Sequence, residues 1–97
     1  MYTTMRQYAG ITPTVFESVM SRKADVETLI RQVPGFLHYD LVRTADGFTS
    51  VTVCDDKAGA DESSKQVSAW IGKNLPAMEG TAPTITAGEN VIHFSAG

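Results

Sequence analysis

The chain has 97 residues, 42% hydrophobic and 20% charged, the balance of an ordinary globular domain with room for a modest core. Its formal net charge is −3 and its eight Lys and Arg residues are scattered, which argues against a nucleic-acid partner, because phosphate binding needs a basic patch. The single cysteine, Cys54, excludes an internal disulfide. No run approaches the ~20 apolar residues that span a bilayer, and the N-terminus MYTTMRQYAG lacks the basic start and apolar stretch of a signal peptide. The expectation is one cytoplasmic domain, residues 1–97, with no membrane partner.

Tyr2 to Ala9 reads as a first strand, with Tyr2, Thr4, Arg6 and Tyr8 on one face and Thr3, Met5 and Gln7 on the other. Two helix starts compete after it. Either Thr12 is the N-cap with Pro13 at the first helical position, or Thr14 caps and Glu17 closes a capping box. One helix is expected to run to about Gln32, because Pro34 disfavours helical geometry at Val33. Phe16, Val19, Val26, Ile30 and Val33 form its buried stripe. Lys23 falls on the same stripe, either as a rim residue with its charged end in water or as a cation aimed into a pocket under the helix.

Phe36 to Ala45 and Phe48 to Cys54 are two alternating runs around Asp46-Gly47, a strong hairpin signal, because a type I′ turn needs positive φ at both central residues. A two-residue loop there sets Arg43 opposite Ser50, Leu41 opposite Thr52 and Tyr39 opposite Cys54. Phe36, His38, Asp40 and Val42 then share the other face with Thr49, Val51 and Val53. A second helix is expected over roughly Lys57 to Asn74, capped by Asp55 or Asp56 and stopped by Pro76. Its inner stripe is Ala60, Ser64, Val67, Ile71 and Leu75, with Trp70 beside it. The last strand is expected at Asn90 to Phe94, with a short preceding stretch at Thr84 to Thr86. The order βαββαβ specifies an α+β, ferredoxin-like fold with two helices on one face of a four-stranded antiparallel sheet. Apolar residues on both faces of the Phe36–Ala45 strand call for a cover on the far side, so a homodimer is expected.

Pro34-Gly35-Phe36, Asp46-Gly47 before a β-rich run, and an acidic-start helix with Ala69-Trp70-Ile71 ending at Leu75-Pro76 resemble the antibiotic biosynthesis monooxygenase-like family. That family belongs to the dimeric α+β barrel superfamily, and the resemblance covers nearly the whole chain. It implies a broad range of activity. Some members oxidise aromatic polyketides with oxygen and no cofactor, some bind and degrade haem, and some isomerise lactones. The haem-degrading branch uses an Asn near the first strand with a Trp and a His. Trp70 could match that Trp, but residues 2–9 hold no Asn and neither predicted helix holds a His, which speaks against haem degradation.

Candidate chemistry follows from a few side chains. His38 and Asp40, two apart on one strand, lie on one face, where the carboxylate could orient an imidazole acting as a base; the alternative is a polar spot at the mouth of the sheet. Trp70 could wall a flat ligand while Asn74, one turn on, hydrogen-bonds its carbonyl; the alternative is a core residue and a polar helix end. Arg6 and Tyr39 are candidate polar groups of the same pocket. His38 and His93 lack a carboxylate or cysteine set at ligand spacing, so no metal is expected, and no cofactor. Two functions are carried forward. One is a cofactor-independent monooxygenase-like protein acting on or binding a small aromatic or apolar molecule. The other is a non-catalytic small-molecule-binding or stress-associated homodimer of the same fold.

Overall fold

The computed structural model describes residues 1–78 and 80–97. Strand β1 (Tyr2–Ala9) is followed by helices α1 (Pro13–Ser21) and α2 (Lys23–Arg31), then by β2 (Phe36–Thr44) and β3 (Gly47–Cys54). Helix α3 (Lys57–Asn74) leads through a short 3₁₀ turn at Pro76–Met78 to β4 (Thr84–Glu89). The four strands form one antiparallel sheet in the order β2-β3-β1-β4, with the helices on one face. This is the ferredoxin-like α+β arrangement expected from the sequence, with a third helix added.

That helix arises from a break. Thr12 is the N-cap of α1, its side chain accepting from the Val15 N–H, and Pro13 opens the first turn. The single helix expected to Gln32 is interrupted at Arg22, whose backbone sits at φ −106°, ψ 19°. Ser18 and Ser21 hydroxyls donate back to the Thr14 and Ser18 carbonyls, a habit that bends helices. The Arg22 side chain is drawn off to Asp25 (2.6 Å) and to Asn74 (3.2 Å). The apolar stripe survives the break, with Val19, Ile30 and Val33 buried. Gly35 then takes φ +74°, a left-handed conformation that lets the chain turn straight into β2.

The hairpin register differs from the expected one. Thr44 pairs with Gly47, so the two-residue loop is Ala45-Asp46, and Arg43 faces Phe48, Leu41 faces Ser50 and Tyr39 faces Thr52. Gly47 is not at positive φ, so its glycine is required by something else. A Cβ there would press into the Tyr8 carbonyl, lying 3.0 Å from its carbon and 3.1 Å from Ile11 Cγ1. The two-residue shift keeps every residue from Tyr39 to Thr44 on its expected face. A bulge at Leu37 moves Phe36 to the helix side, where it pairs with Cys54.

The last strand is also corrected. β4 occupies Thr84–Glu89, and the stretch from Asn90 to Phe94 lies outside the sheet. Glu89 pairs with Tyr2, the first residue of β1, and the Asn90 N–H bonds to the Met1 carbonyl. Beyond that point β1 offers nothing to pair with. Val91, Ile92 and Phe94 are therefore left 80–87% exposed.

Asp56 caps α3 by accepting from the Gly59 N–H. The main apolar cluster joins Tyr8 and Phe48 of the sheet to Val19, Leu75 and Met78, with the Tyr8 and Phe48 rings 4.7 Å apart. Cys54, fully buried, sits between Tyr2 and Phe36 in the ladder. The opposite sheet face carries Met5 and Val42, both exposed, with half-buried Val51 and Val53. Among the described residues, no helix is long and apolar enough to cross a membrane.

Candidate functional site

The inner sheet face carries a polar strip where a core is usually apolar. Arg6, Thr4, Ser50 and Thr52 are buried on adjacent central strands, and Ser63 descends on them from α3. The Arg6 guanidinium, 1% exposed, donates to Thr52 Oγ1 (3.1 Å), Ser63 Oγ (2.7 Å) and Ser64 Oγ (2.9 Å). Burial pushes its pKa down from the ordinary guanidinium value. Ser50 Oγ makes no hydrogen bond of normal geometry among the described residues, although it lies close enough to Tyr39 to act on that phenol. Burial raises both Tyr39 and Tyr8, and the Arg6 charge works against it in each case. Both phenols are therefore kept neutral. Burial also raises the Cys54 thiol, against the reactivity of a nucleophile.

Beside this strip lie two adjacent spaces. A groove of about 530 Å³ runs between α1–α2 and β2, with Phe16, Val26, Ile30, Phe36 and Leu41 among its walls. Lys23, Arg31 and Arg43 stand in its lining, and the Arg43 guanidinium lies 4.3 Å above the Phe16 ring. A cavity of about 40 Å³ lies deeper, lined by Tyr8, Ser50 and Trp70 among others. Val19, Val26, Tyr39 and Leu41 line both spaces, so they form the wall between them. The groove has the size of a small-molecule site, and the cavity the size of one or two atoms.

The residues singled out from the sequence separate into two groups. His38 and Asp40 do meet, Nε2 to Oδ2 at 2.6 Å; both are exposed and set by strand parity on the face away from the helices, while His38 is also among the residues lining the groove. Trp70 borders the small cavity and stands outside the large groove. The Asn74 side chain is engaged, donating to the Trp70 carbonyl (3.0 Å) and accepting from Arg22, whose guanidinium also stacks 5.4 Å from the Trp70 ring. Tyr39 and Arg6 point inward with the polar strip. Lys23 is exposed at the lip of the groove. Sequence reasoning missed Thr52, Ser63 and Ser64 as partners of Arg6, and Arg43 as part of the groove. The parity of β1 did place Arg6 on the same face as Thr4 and Tyr8. Among the described residues, no group of three or more His, Cys, Asp or Glu side chains could hold a metal ion.

No family model matches the sequence, and no curated protein matches it. Solved structures do share its fold. One is an antibiotic biosynthesis monooxygenase, 19% identical, over 95% of this chain and all of that one, with a TM-score of 0.67. A second is a dimeric ferredoxin-like protein from an uncultured marine organism, 14% identical over 97% of each chain, at 0.71. A third is a MhuD variant with two manganese protoporphyrin IX bound per active site, 15% identical over 99% of this chain and all of that one, at 0.70. The resemblance read from the sequence is thus shown at the level of fold: the chain has the fold of antibiotic biosynthesis monooxygenase-like proteins.

Proposed function

We propose that the protein binds a compact aromatic or otherwise apolar molecule in the groove between α1–α2 and β2, and oxygenates it without metal or flavin. The observation that carries this is the groove itself: about 530 Å³, apolar-walled, and adjoining a polar strip through Tyr39. In the reaction, the substrate supplies electrons to oxygen once it is a phenolate or carbanion. Tyr39, held neutral, would offer a hydrogen bond to the developing oxyanion from the half-buried wall it forms between groove and cavity. Trp70 would report on occupancy from the inner cavity. Titrating hydroxylated polycyclic aromatics while following Trp70 emission and oxygen uptake tests the proposal. The expected result is saturable quenching with oxygen consumption, both altered in Tyr39→Phe. No spectral response to any compound removes the ligand site.

A second reading, a non-catalytic ligand-binding dimer, is favoured by one observation. His38, the obvious base, is among the residues lining the groove, but it is exposed and bound to Asp40, which is not among them, and strand parity turns both away from the helices. Binding without oxygen uptake decides for it. In either case we propose a cytoplasmic homodimer formed through the face carrying Met5, Val42, Val51 and Val53, with the apolar tail around Val91, Ile92 and Phe94 adding to the contact. A stable interface of this kind buries about 1,600 Å² in total. Light scattering at micromolar concentration should give twice 10.5 kDa; a 10.5 kDa particle refutes the dimer.

A further inference from the structure

The groove carries more positive charge than negative. Lys23, Arg31 and Arg43 stand in its lining against one carboxylate, Glu27, and that carboxylate is already taken, accepting from Arg31 at 2.8 Å. Among the described residues neither Lys23 nor Arg43 forms a salt bridge. An apolar-walled space whose lining offers spare cations and no spare anion suits a ligand that brings negative charge. The two cations are held differently. Lys23 is exposed at the lip, on a flexible four-carbon stem. Arg43 belongs to β2 and follows Tyr39 and Leu41 at every second residue, so the three share the strand face that lines the groove. Its guanidinium lies 4.3 Å over the ring of Phe16, itself a wall of the groove. The ring contact fixes the charge at the groove wall, and no carboxylate among the described residues takes up the planar fork of N–H donors.

We propose that Arg43 receives a carboxylate of the ligand, so that the molecule bound in the groove is an aromatic monoanion, with its charged end on Arg43 beside Phe16 and its ring running along Leu41 toward Tyr39. This rests on the reading of the groove as the ligand site and names the class of molecule it takes. A carboxylate matches the guanidinium fork with two parallel hydrogen bonds, which fixes the ligand's direction as well as its charge. Successive residues on one strand face are about 7 Å apart, so a fused-ring aromatic lies over Leu41 with its polar ends directed at its two neighbours. Lys23 strengthens the field at the lip and draws the anion in from solution. The contact with the ligand belongs to Arg43, whose position the Phe16 ring sets.

The test compares 2-naphthoate with its neutral isostere 2-naphthamide by isothermal titration calorimetry at neutral pH. Wild type should bind the carboxylate about fivefold more tightly, the size of one charge-assisted contact at an exposed rim. Arg43→Gln should erase that preference and leave naphthamide binding in place. Arg43→Lys keeps the charge and loses the planar fork, so the ratio should fall at least about twofold; this variant decides should Arg43→Gln fail to fold. Lys23→Gln, which removes only a screened charge at the lip, should keep at least about half of the ratio. A wild-type ratio near one, a ratio surviving Arg43→Gln, a ratio kept whole in Arg43→Lys, or a ratio lost in Lys23→Gln overturns the inference. Equal binding of the two probes leaves the groove standing without the anion; binding of neither overturns both.

Discussion

Replacing Gly47 tests the fold at a point where the β1 backbone leaves no room for a Cβ on β3. A Cβ there meets the Tyr8 backbone, whose carbonyl carbon is 3.0 Å away and whose oxygen is nearer still, and Ile11 Cγ1 at 3.1 Å. A backbone carbonyl in mid-ladder cannot rotate aside as a side-chain tip can. The β1 end must therefore move, parting the Ala9–Gly47 pair and straining the Tyr8–Phe48 ring contact. Overpacking costs about 1–3 kcal/mol, and the lost ladder hydrogen bond about 1 kcal/mol. A total near 3 kcal/mol, at roughly 4–8 °C per kcal/mol for a chain of this size, lowers the melting temperature of Gly47→Ala by about 12–24 °C. Gly47→Asn discriminates the cause. Asparagine tolerates left-handed backbone, so it would be nearly silent if φ were the reason, whereas the close approach makes it as harmful as alanine. Calorimetric melting of both variants is the assay. Either substitution within about 0.5 kcal/mol of wild type refutes the steric account.

Gly72, exposed inside α3 with open space where a Cβ would project, should behave in the opposite sense: Gly72→Ala should gain about 0.5–1 kcal/mol in urea denaturation. Arg22→Met should cost about 1 kcal/mol and shift Trp70 emission, since it removes the cation over the indole ring and the bond to Asn74; an unchanged spectrum counts against that contact. Tyr8, Tyr39 and Cys54 all have acidities weakened chiefly by burial. The unfolded chain then ionises first, so their contribution is intact below their ordinary values, near 8.5 for the thiol and 10 for the phenols, and is lost as pH climbs above them. Stability should fall in that alkaline window, and less steeply in Tyr8→Phe/Tyr39→Phe; equal slopes refute the burial effect.

What the sequence could express depended on how local the cause was. The alternation Thr4, Arg6, Tyr8 grouped correctly the residues that share one face of β1, because strand parity is a property of neighbouring residues. Thr12-Pro13 was one of the two starts the sequence offered for the helix, and it is the one that α1 uses. The break at Arg22 was hidden, since the apolar stripe continues through it and the side chain's partners include Asn74 on another helix. Asp46-Gly47 signalled a hairpin but not its register. The glycine answers to the Tyr8 carbonyl on a third strand, and no local turn rule contains that. Asn90 to Phe94 reads as a strand by composition, yet a strand needs a partner and β1 ends first. The site followed the same division. The His38–Asp40 pair was legible from spacing, whereas the serines that surround Arg6 come from α3 and converge only when the helix packs on the sheet.

Cys54 gives the protein an internal clock. It is the sole thiol in the chain, with no accessible surface, held between Tyr2 and Phe36 in the ladder and roofed by Gly59 at the start of α3, where a Cβ would lie 3.3 Å from its own. A labelling reagent reaches the sulfur only after the sheet and helix separate, so fraying of the tail or the hairpin loop leaves it silent. Its modification rate in native buffer thus samples the rare, large-scale openings, and occupancy of the groove would be read as a slowing of that rate.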